Sequence, residues 1–191
     1  AQCLKEEFEN ASDLCVKAYD NLLKKVDIEK QDIDCCVVVT QNPDFNIPHT
    51  SAIVHGKLDL PQNCACFDIS LGCSGYVYGL SNIISFMKNN NLKNGILFTS
   101  DPYSDIVDKE DKNTALLFGD AATVTYINED AFLVPKDFSF GINGSGYKKL
   151  LFEDDVISTK KGRNVFLSQE NTSTGRKIPM PQSIGQSRLG R

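Results

Sequence analysis

Short apolar runs separated by segments of helical periodicity constrain the fold of this chain more than any other feature of its sequence. Three such runs occupy residues 33–40 (IDCCVVVT), 64–70 (CACFDIS) and 96–100 (ILFTS). Apolar, β-branched runs of this length are typical of strands buried on both faces of a parallel sheet. The sequence therefore predicts an α/β fold in which helices cover a mostly parallel, mixed sheet.

The segments between and after these runs predict the other elements. Apolar residues recur at helical spacing after Ser12, which we interpret as an N-cap, and helical patterns return twice more. The predicted helices cover residues 13–26, 50–58 and 76–87. Two further strands are predicted over residues 121–127 and 132–140, joined by a hairpin-length connection at 128–131.

The composition changes near residue 153. Beyond that point Lys, Arg, Ser, Thr, Gln and Gly dominate, with Pro179 and Pro181 and only scattered apolar residues. Such segments bury too little apolar surface to offset the entropy of ordering them. We therefore divide the chain into a folded part, residues 1–152, and a polar tail, residues 153–191, expected to be largely disordered.

Charge and hydropathy exclude several functions. The formal net charge of −5 and the pI near 5.0 argue against a broad nucleic-acid-binding surface, which needs clustered Lys and Arg. The apolar runs are too short to span a bilayer, and the first ten residues carry charges where a signal peptide needs an apolar stretch. The sequence predicts a cytoplasmic protein that binds neither nucleic acid nor membrane.

The cysteines must have another use than cross-linking. Their number, seven, is odd and no secretory segment accompanies them, which favours free thiols. Cys64 and Cys66 lie near His55 in the sequence, but their spacing matches no zinc pattern, and no metal is expected.

One of these cysteines lies at a position that favours a reactive thiol. Cys73 falls at the turn between a predicted strand and a predicted helix, between Gly72 and Ser74, with Gly75 following. Backbone N–H groups and the positive end of the macrodipole at a helix N-terminus favour the thiolate, which is the nucleophilic form. The alternative is that Cys73 is one more small buried apolar residue.

Four segments of this sequence carry a resemblance to a known family. They are VVVTQNPDFNIPHTSA at residues 37–52, FDISLGCSGYVYGL at 67–80, LLFGDAATVTYI at 116–127 and GINGSGYKKLLF at 141–152. In this order they resemble the first half of the ketoacyl-acyl carrier protein synthase III family, a branch of the thiolase fold. The resemblance implies that Cys73 accepts an acyl group as a thioester.

The resemblance also implies substrates and partners. An acyl group would pass from acyl-CoA to Cys73, and decarboxylative condensation with malonyl-acyl carrier protein would follow, as a step of fatty acid biosynthesis. Coenzyme A is then part of a substrate, and no resident cofactor is expected. Gly72, Ser74 and Ile47 are the predicted substrate-binding residues. Ile47 precedes Pro48 where the family usually has an aromatic residue that reaches the partner's acyl pocket, so a homodimer through this half is implied.

Parts of the family pattern are missing from the sequence. The family's catalytic His and Asn belong to its second half, whereas the only histidines here, His49 and His55, precede Cys73 and are expected to be structural. The resemblance further implies that the family's first strand would lie between the strands at 36–40 and 96–100. These two strands are therefore not expected to be direct neighbours, and residues 164–168 (NVFLS) are the only spare strand-like run.

Three interpretations of the chain remain open at this point. It is an incomplete piece of a condensing enzyme, a subunit that pairs with another thiolase-like chain, or a fragment that binds acyl-CoA or carrier protein without condensing them.

Overall fold

The computed structural model describes residues 4–7, 9–107, 110, 112–153 and 164–167. Its helices are α1 (Ala11–Leu23), α2 (Thr50–Leu58), α3 (Gly75–Asn89) and α4 (Lys112–Ala115). Its strands are β1 (Cys35–Val39), β2 (Ala65–Ile69), β3 (Gly95–Pro102), β4 (Asp120–Ile127), β5 (Leu150–Glu153) and β6 (Asn164–Leu167).

A four-stranded mixed sheet with the order β2-β1-β3-β4 forms the centre of the fold. β1 pairs in parallel with both β2 and β3, and β4 pairs antiparallel with β3. All three predicted strands are present, and all five residues of β1 are buried. The predicted burial of the strand at 64–70 is only partly met, because β2 lies at the end of the strand order and each of its five residues is partly buried. The layered α/β prediction is therefore correct.

The predicted separation of β1 from β3 is wrong. Val38 lies opposite Phe98 and Val39 opposite Thr99 in a continuous parallel ladder, with no strand between them. Direct pairing satisfies the backbone N–H and C=O groups that a gap would leave unpaired. Residues 164–167 do not substitute for a central strand, since they pair with β5 in a separate two-stranded sheet. Most of the predicted polar tail lies outside the described residues.

Helix α1 begins earlier than the sequence predicted. Its N-cap is Asn10, whose backbone N–H binds the Asp13 carboxylate at 3.0 Å. Ser12 is instead a buried residue within the helix, and both its N–H and its hydroxyl bind the Asp44 carboxylate. The assignment of Ser12 as the N-cap was wrong because Asn10 already satisfies the first turn.

The predicted strand over residues 132–140, with its hairpin connection, is also wrong. This segment has no regular structure, and Phe132, Leu133 and Val134 are largely exposed. It lies against α3 through Phe140, whose ring is 4.8 Å from that of Tyr78. The prediction rested on apolar content alone. A strand also needs a partner, and within the described residues no strand pairs with the outer side of β4.

Helices cover both faces of the sheet. Cys36, Val38 and Phe98 belong to the apolar cluster that also holds residues of α1 and α2, whereas Val37 and Leu97 belong to the cluster beneath α3. This alternation follows from the two-residue period of a strand. The result is an α/β/α arrangement with a core on each side of the sheet.

Two glycines let α3 approach the sheet closely. A Cβ added at Gly75 would lie 2.5 Å from Cγ1 of Val39, and one added at Gly79 would lie 2.8 Å from Cγ2 of the same valine. By contrast, a Cβ added at Gly56 on α2 would have no neighbour within 4 Å. The position of α3 therefore depends on the absence of side chains at Gly75 and Gly79.

We expect Gly79→Ala to lower the free energy of unfolding and Gly56→Ala to raise it or leave it unchanged. Both substitutions gain about 1 kcal/mol in helix propensity. Only Gly79→Ala also overpacks the contact with Val39, which costs about 1–3 kcal/mol. Urea unfolding followed by circular dichroism measures both. Equal effects of the two substitutions would contradict the close approach of α3.

Candidate active site

The carboxyl ends of β2, β1 and β3 lie at one edge of the sheet because these strands are parallel. β4 runs the other way, so its first residue, Asp120, lies opposite Pro102 at the same edge. Ligands of open α/β sheets bind beyond the carboxyl ends of the strands. The candidate site is built here from the segments that follow each strand.

Cys73 lies in the turn that leads from β2 to α3. The N–H of Gly75 donates to the carbonyl oxygen of Gly72 at 2.7 Å, which closes the turn, and Ser74 is the N-cap of α3. Cys73 is exposed. The predicted strand, tight turn and helix are therefore present, and the thiol is accessible at the N-terminus of a fifteen-residue helix.

Gly72 lies directly against the side chain of Gln41, the second residue after β1. A Cβ on residue 72 would collide with Oε1 of Gln41 and lie 3.0 Å from its Cδ. Gln41 is itself held in place, because the hydroxyl of Tyr103 donates to its Oε1 at 3.0 Å. A side chain at residue 72 would require this carboxamide to move.

The carboxylate of Asp101 organises the chain after β1. Its Oδ1 accepts hydrogen bonds from the N–H of Gln41 at 2.7 Å, the N–H of Asn42 at 3.2 Å and the hydroxyl of Thr40 at 3.0 Å. Burial raises the pKa of Asp101, and the hydrogen bonds from Gln41, Thr40 and Asn42 oppose that rise. One oxygen atom thus binds three consecutive residues in the loop beside the turn that carries Cys73.

Tyr103 connects this cluster with Cys73. It lies in a 3-10 turn that follows β3 and is half-buried. Burial, together with the charges of Asp101 and Cys73, raises the pKa of Tyr103 to about 12. The phenol therefore stays protonated at neutral pH and can donate its hydrogen bond to Gln41.

The residues predicted from the sequence divide into two groups. Gly72, Cys73 and Ser74 lie together in the turn, whereas Ile47 lies in the loop between β1 and α2 with 88% of its surface exposed. His55 makes a hydrogen bond of 3.0 Å with the carbonyl of Pro61, and His49 is the N-cap of α2. The contact of His55 agrees with its predicted structural role, whereas the side chain of His49 makes no capping bond and its structural role stays a prediction.

The other described cysteines differ from Cys73 in burial and environment. Burial is the main cause that raises the pKa of Cys15 and Cys35, while Cys36 and Cys64 are buried beside Cys66. The thiols of Cys36 and Cys64 lower the pKa of Cys66, which is half-buried against the core beneath α1 and α2. Within the described residues no group of three or more His, Cys, Asp or Glu is arranged to hold a metal ion.

Sequence reasoning missed Gln41, Asp101 and Tyr103. Each of them follows a predicted buried strand within a few residues. That position was the available signal, since the carboxyl ends of parallel strands converge at one edge.

Solved structures with a similar fold place this chain in a class. A crystal structure of a 3-oxoacyl-(acyl-carrier-protein) synthase III superposes with a TM-score of 0.72 at 30% identity, over 78% of this chain and 44% of that one. The 3-oxoacyl-(acyl-carrier protein) synthase from Burkholderia xenovorans LB400 superposes with a TM-score of 0.67 at 31% identity, over 77% and 42%. The fold is that of the thiolase-like condensing enzymes.

Sequence comparison gives the family. Residues 67–140, which include the turn that carries Cys73, match the sequence profile of 3-oxoacyl-[acyl-carrier-protein (ACP)] synthase III. The beta-ketoacyl-[acyl-carrier-protein] synthase III of Clostridium beijerinckii is 37% identical over 124 residues, 65% of this chain and 38% of that protein. The matched part of the chain belongs to the 3-oxoacyl-[acyl-carrier-protein] synthase III family. It spans less than half the length of these relatives.

We expect iodoacetamide to alkylate Cys73 before any other described cysteine, because its thiol is exposed at the N-terminus of α3. Peptide mapping after treatment with limiting reagent measures the order. Cys66 is the informative competitor, since its pKa is lowered but its side chain is half-buried. Modification of Cys66 while Cys73 stays intact would refute the assignment of the nucleophile.

We expect Asp101→Ala to lower the free energy of unfolding by about 1–3 kcal/mol, because it leaves the donors of Gln41, Asn42 and Thr40 without their acceptor. Asp101→Asn is the matched control, since an amide oxygen can still accept at the Oδ1 position. Thermal unfolding of both variants tests this. An equal loss in the two would show that the acceptor is not what stabilises this loop.

Proposed function

We propose that this protein is an acyltransferase of the β-ketoacyl-acyl carrier protein synthase III type, with Cys73 as the residue that accepts the acyl group. The observation that carries the proposal is the exposed thiol at the N-terminus of α3, within the segment that matches the family profile. An acyl-CoA is the donor, and the carrier-protein thioester of malonate is the second substrate, in fatty acid biosynthesis.

The first half-reaction uses the thiol and a backbone N–H group of the turn. The Cys73 thiolate attacks the carbonyl carbon of the acyl-CoA thioester, and a tetrahedral oxyanion forms. The backbone N–H of Cys73 supplies one donor toward that oxyanion. When the C–S bond to coenzyme A breaks, the coenzyme A thiolate leaves and takes a proton from solvent, and the acyl group remains as a thioester on Cys73.

The second half-reaction needs groups that the described residues do not supply. Loss of carbon dioxide from malonyl-acyl carrier protein creates a carbanion that neutral hydrogen-bond donors must stabilise. The ring of His55 makes a hydrogen bond with the carbonyl oxygen of Pro61, and His49 is the N-cap residue of α2, so neither histidine belongs to the turn that carries Cys73. We therefore assign the acylation of Cys73 to the described residues and expect the donors for condensation from elsewhere in the complete enzyme.

The loop that carries Ile47 supports a homodimer. Ile47 and Phe45 are apolar, yet 88% and 57% of their surfaces are exposed, as residues that contact a partner subunit would be. We propose that Ile47 meets the acyl chain across this interface and that Gly72 and Ser74 line the path to the thiol. Coenzyme A enters as part of a substrate, and no resident cofactor is required.

We also propose that the protein works in the cytoplasm, where no membrane or nucleic acid is needed as a partner. The acidic composition and the presence of free cysteines support this location. None of the described helices is long and apolar enough to cross a membrane.

We expect acetyl-CoA to transfer one acetyl group to Cys73, and Cys73→Ser to abolish the transfer. Intact mass spectrometry followed by peptide mapping measures it, and Cys66→Ser is the matched control that retains acetylation. Acetylation without carbon dioxide release from malonyl-acyl carrier protein would support the interpretation that this chain alone binds and accepts without condensing. Absence of acetylation at Cys73 would overturn the proposed function.

A further inference from the structure

We propose that Gln41 and Tyr103 are positioning residues for Cys73, and that the Phe118-Gly119-Asp120 motif acts on the nucleophile through them. The inference rests on the proposed role of Cys73 as the acyl acceptor. It assigns a function to a motif that lies more than forty residues from Cys73 in the sequence.

The first step runs from Asp120 to the turn that carries Tyr103. Asp120 is only 3% exposed, and its Oδ1 accepts the N–H of Ser104 at 2.7 Å. Its Oδ2 accepts the N–H of Lys5 at 2.8 Å. A buried carboxylate with donors on both oxygens has a fixed orientation, so it fixes the 3-10 turn Tyr103–Asp105 against the start of β4.

The second step is an aromatic contact within the same motif. The ring of Phe118 packs on the ring of Tyr103, with centroids 4.9 Å apart and planes inclined at 38°. This contact limits how far the phenol can rotate. Phe118 therefore restrains the ring of Tyr103, and Asp120 restrains the backbone of the turn that carries it.

The third step passes from Tyr103 to Gln41. The phenol donates to Oε1 of Gln41 at 3.0 Å, while Asp101 holds the backbone N–H of Gln41 at 2.7 Å. Gln41 is thus held at its backbone N–H and at its side-chain oxygen, although the residue lies at the surface. An exposed glutamine without such contacts would sample several rotamers.

The last step is steric. The Gln41 carboxamide fills the space beside Gly72 that a side chain there would occupy, so movement of the turn toward the end of β1 would require this carboxamide to shift. Cys73 is the next residue of the chain after Gly72. The consequence is a thiol held in one place relative to the N–H groups that begin α3.

The test compares four variants: Tyr103→Phe, Gln41→Ala, Gly72→Ala and the double variant Gly72→Ala/Gln41→Ala. Two rates are measured on the full chain, acetyl transfer from acetyl-CoA and alkylation of Cys73 by iodoacetamide. Acetyl transfer needs the thiol to be aligned with a hydrogen-bond donor to the oxyanion, whereas alkylation needs mainly an accessible thiolate. Tyr126→Phe is the control, because its hydroxyl binds Asn94 at the other edge of the sheet.

We expect Tyr103→Phe and Gln41→Ala to slow acetyl transfer by roughly tenfold and alkylation by no more than about twofold, in line with the sensitivity of such reactions to small misplacements. Tyr126→Phe leaves both rates unchanged. Gly72→Ala slows both reactions, and removal of the Gln41 side chain in the double variant returns them to the Gln41→Ala values. Thermal unfolding midpoints show whether each variant is folded at the assay temperature.

Two results would overturn the inference. One is that Tyr103→Phe behaves like Tyr126→Phe in acetyl transfer. The other is that Gly72→Ala stays equally impaired when Gln41 is alanine, which would show that Gln41 does not confine the turn. If the parent chain takes no acetyl group at all, the proposed function fails instead, and the alkylation rates of the Gly72 and Gln41 variants still decide the positioning role.

Discussion

Val39, the last residue of β1, lies beneath two glycines of α3. Because neither glycine has a side chain, the methyl groups of this valine lie at 2.5 Å and 2.8 Å from where their Cβ atoms would stand. This contact sets the distance between the helix and the sheet at the end where the helix begins. Cys73 is two residues before Gly75, so its height above the sheet follows from the same contact. The loop after β1 and the turn before α3 can meet only at this separation.

The fold could be predicted where a pattern is local. Burial on both faces makes a strand apolar throughout, and the runs that contain β1 and β3 were found for that reason. The run that contains β2 was found by its apolar content, although its residues are only partly buried. Strand order is not a local property. Nothing in the sequence of β1 or β3 indicates which strand lies beside it, and the order inferred from a resemblance was wrong. Residues 132–140 were misassigned because apolar content does not reveal whether a partner strand exists.

The candidate site likewise has parts that follow from local sequence and parts that depend on contacts between distant segments. The turn around Cys73 could be predicted because Gly72 and Gly75 interrupt the pattern between a strand and a helix. Gln41 and Tyr103 were missed: their positions after predicted strands were a signal, but their hydrogen bond joins residues 62 positions apart and depends on two strands that end at the same edge. The segment that contains Phe118, Gly119 and Asp120 was recognised, but its position at the same edge as the Cys73 turn depends on the antiparallel direction of β4, which no single residue encodes.

That reversal of β4 also gives the two edges of the sheet different tolerance to change. One edge collects the ends of three strands and the start of the fourth, so a loop lengthened there would disturb contacts among several segments. At the other edge Asp34 closes its turn by accepting the N–H groups of Lys93 and Asn94, and Gln62 and Asn63 are exposed in the connection before β2. A tag, a fluorophore or an inherited insertion is best accommodated there, where the chain can vary while the chemistry at the opposite edge is preserved.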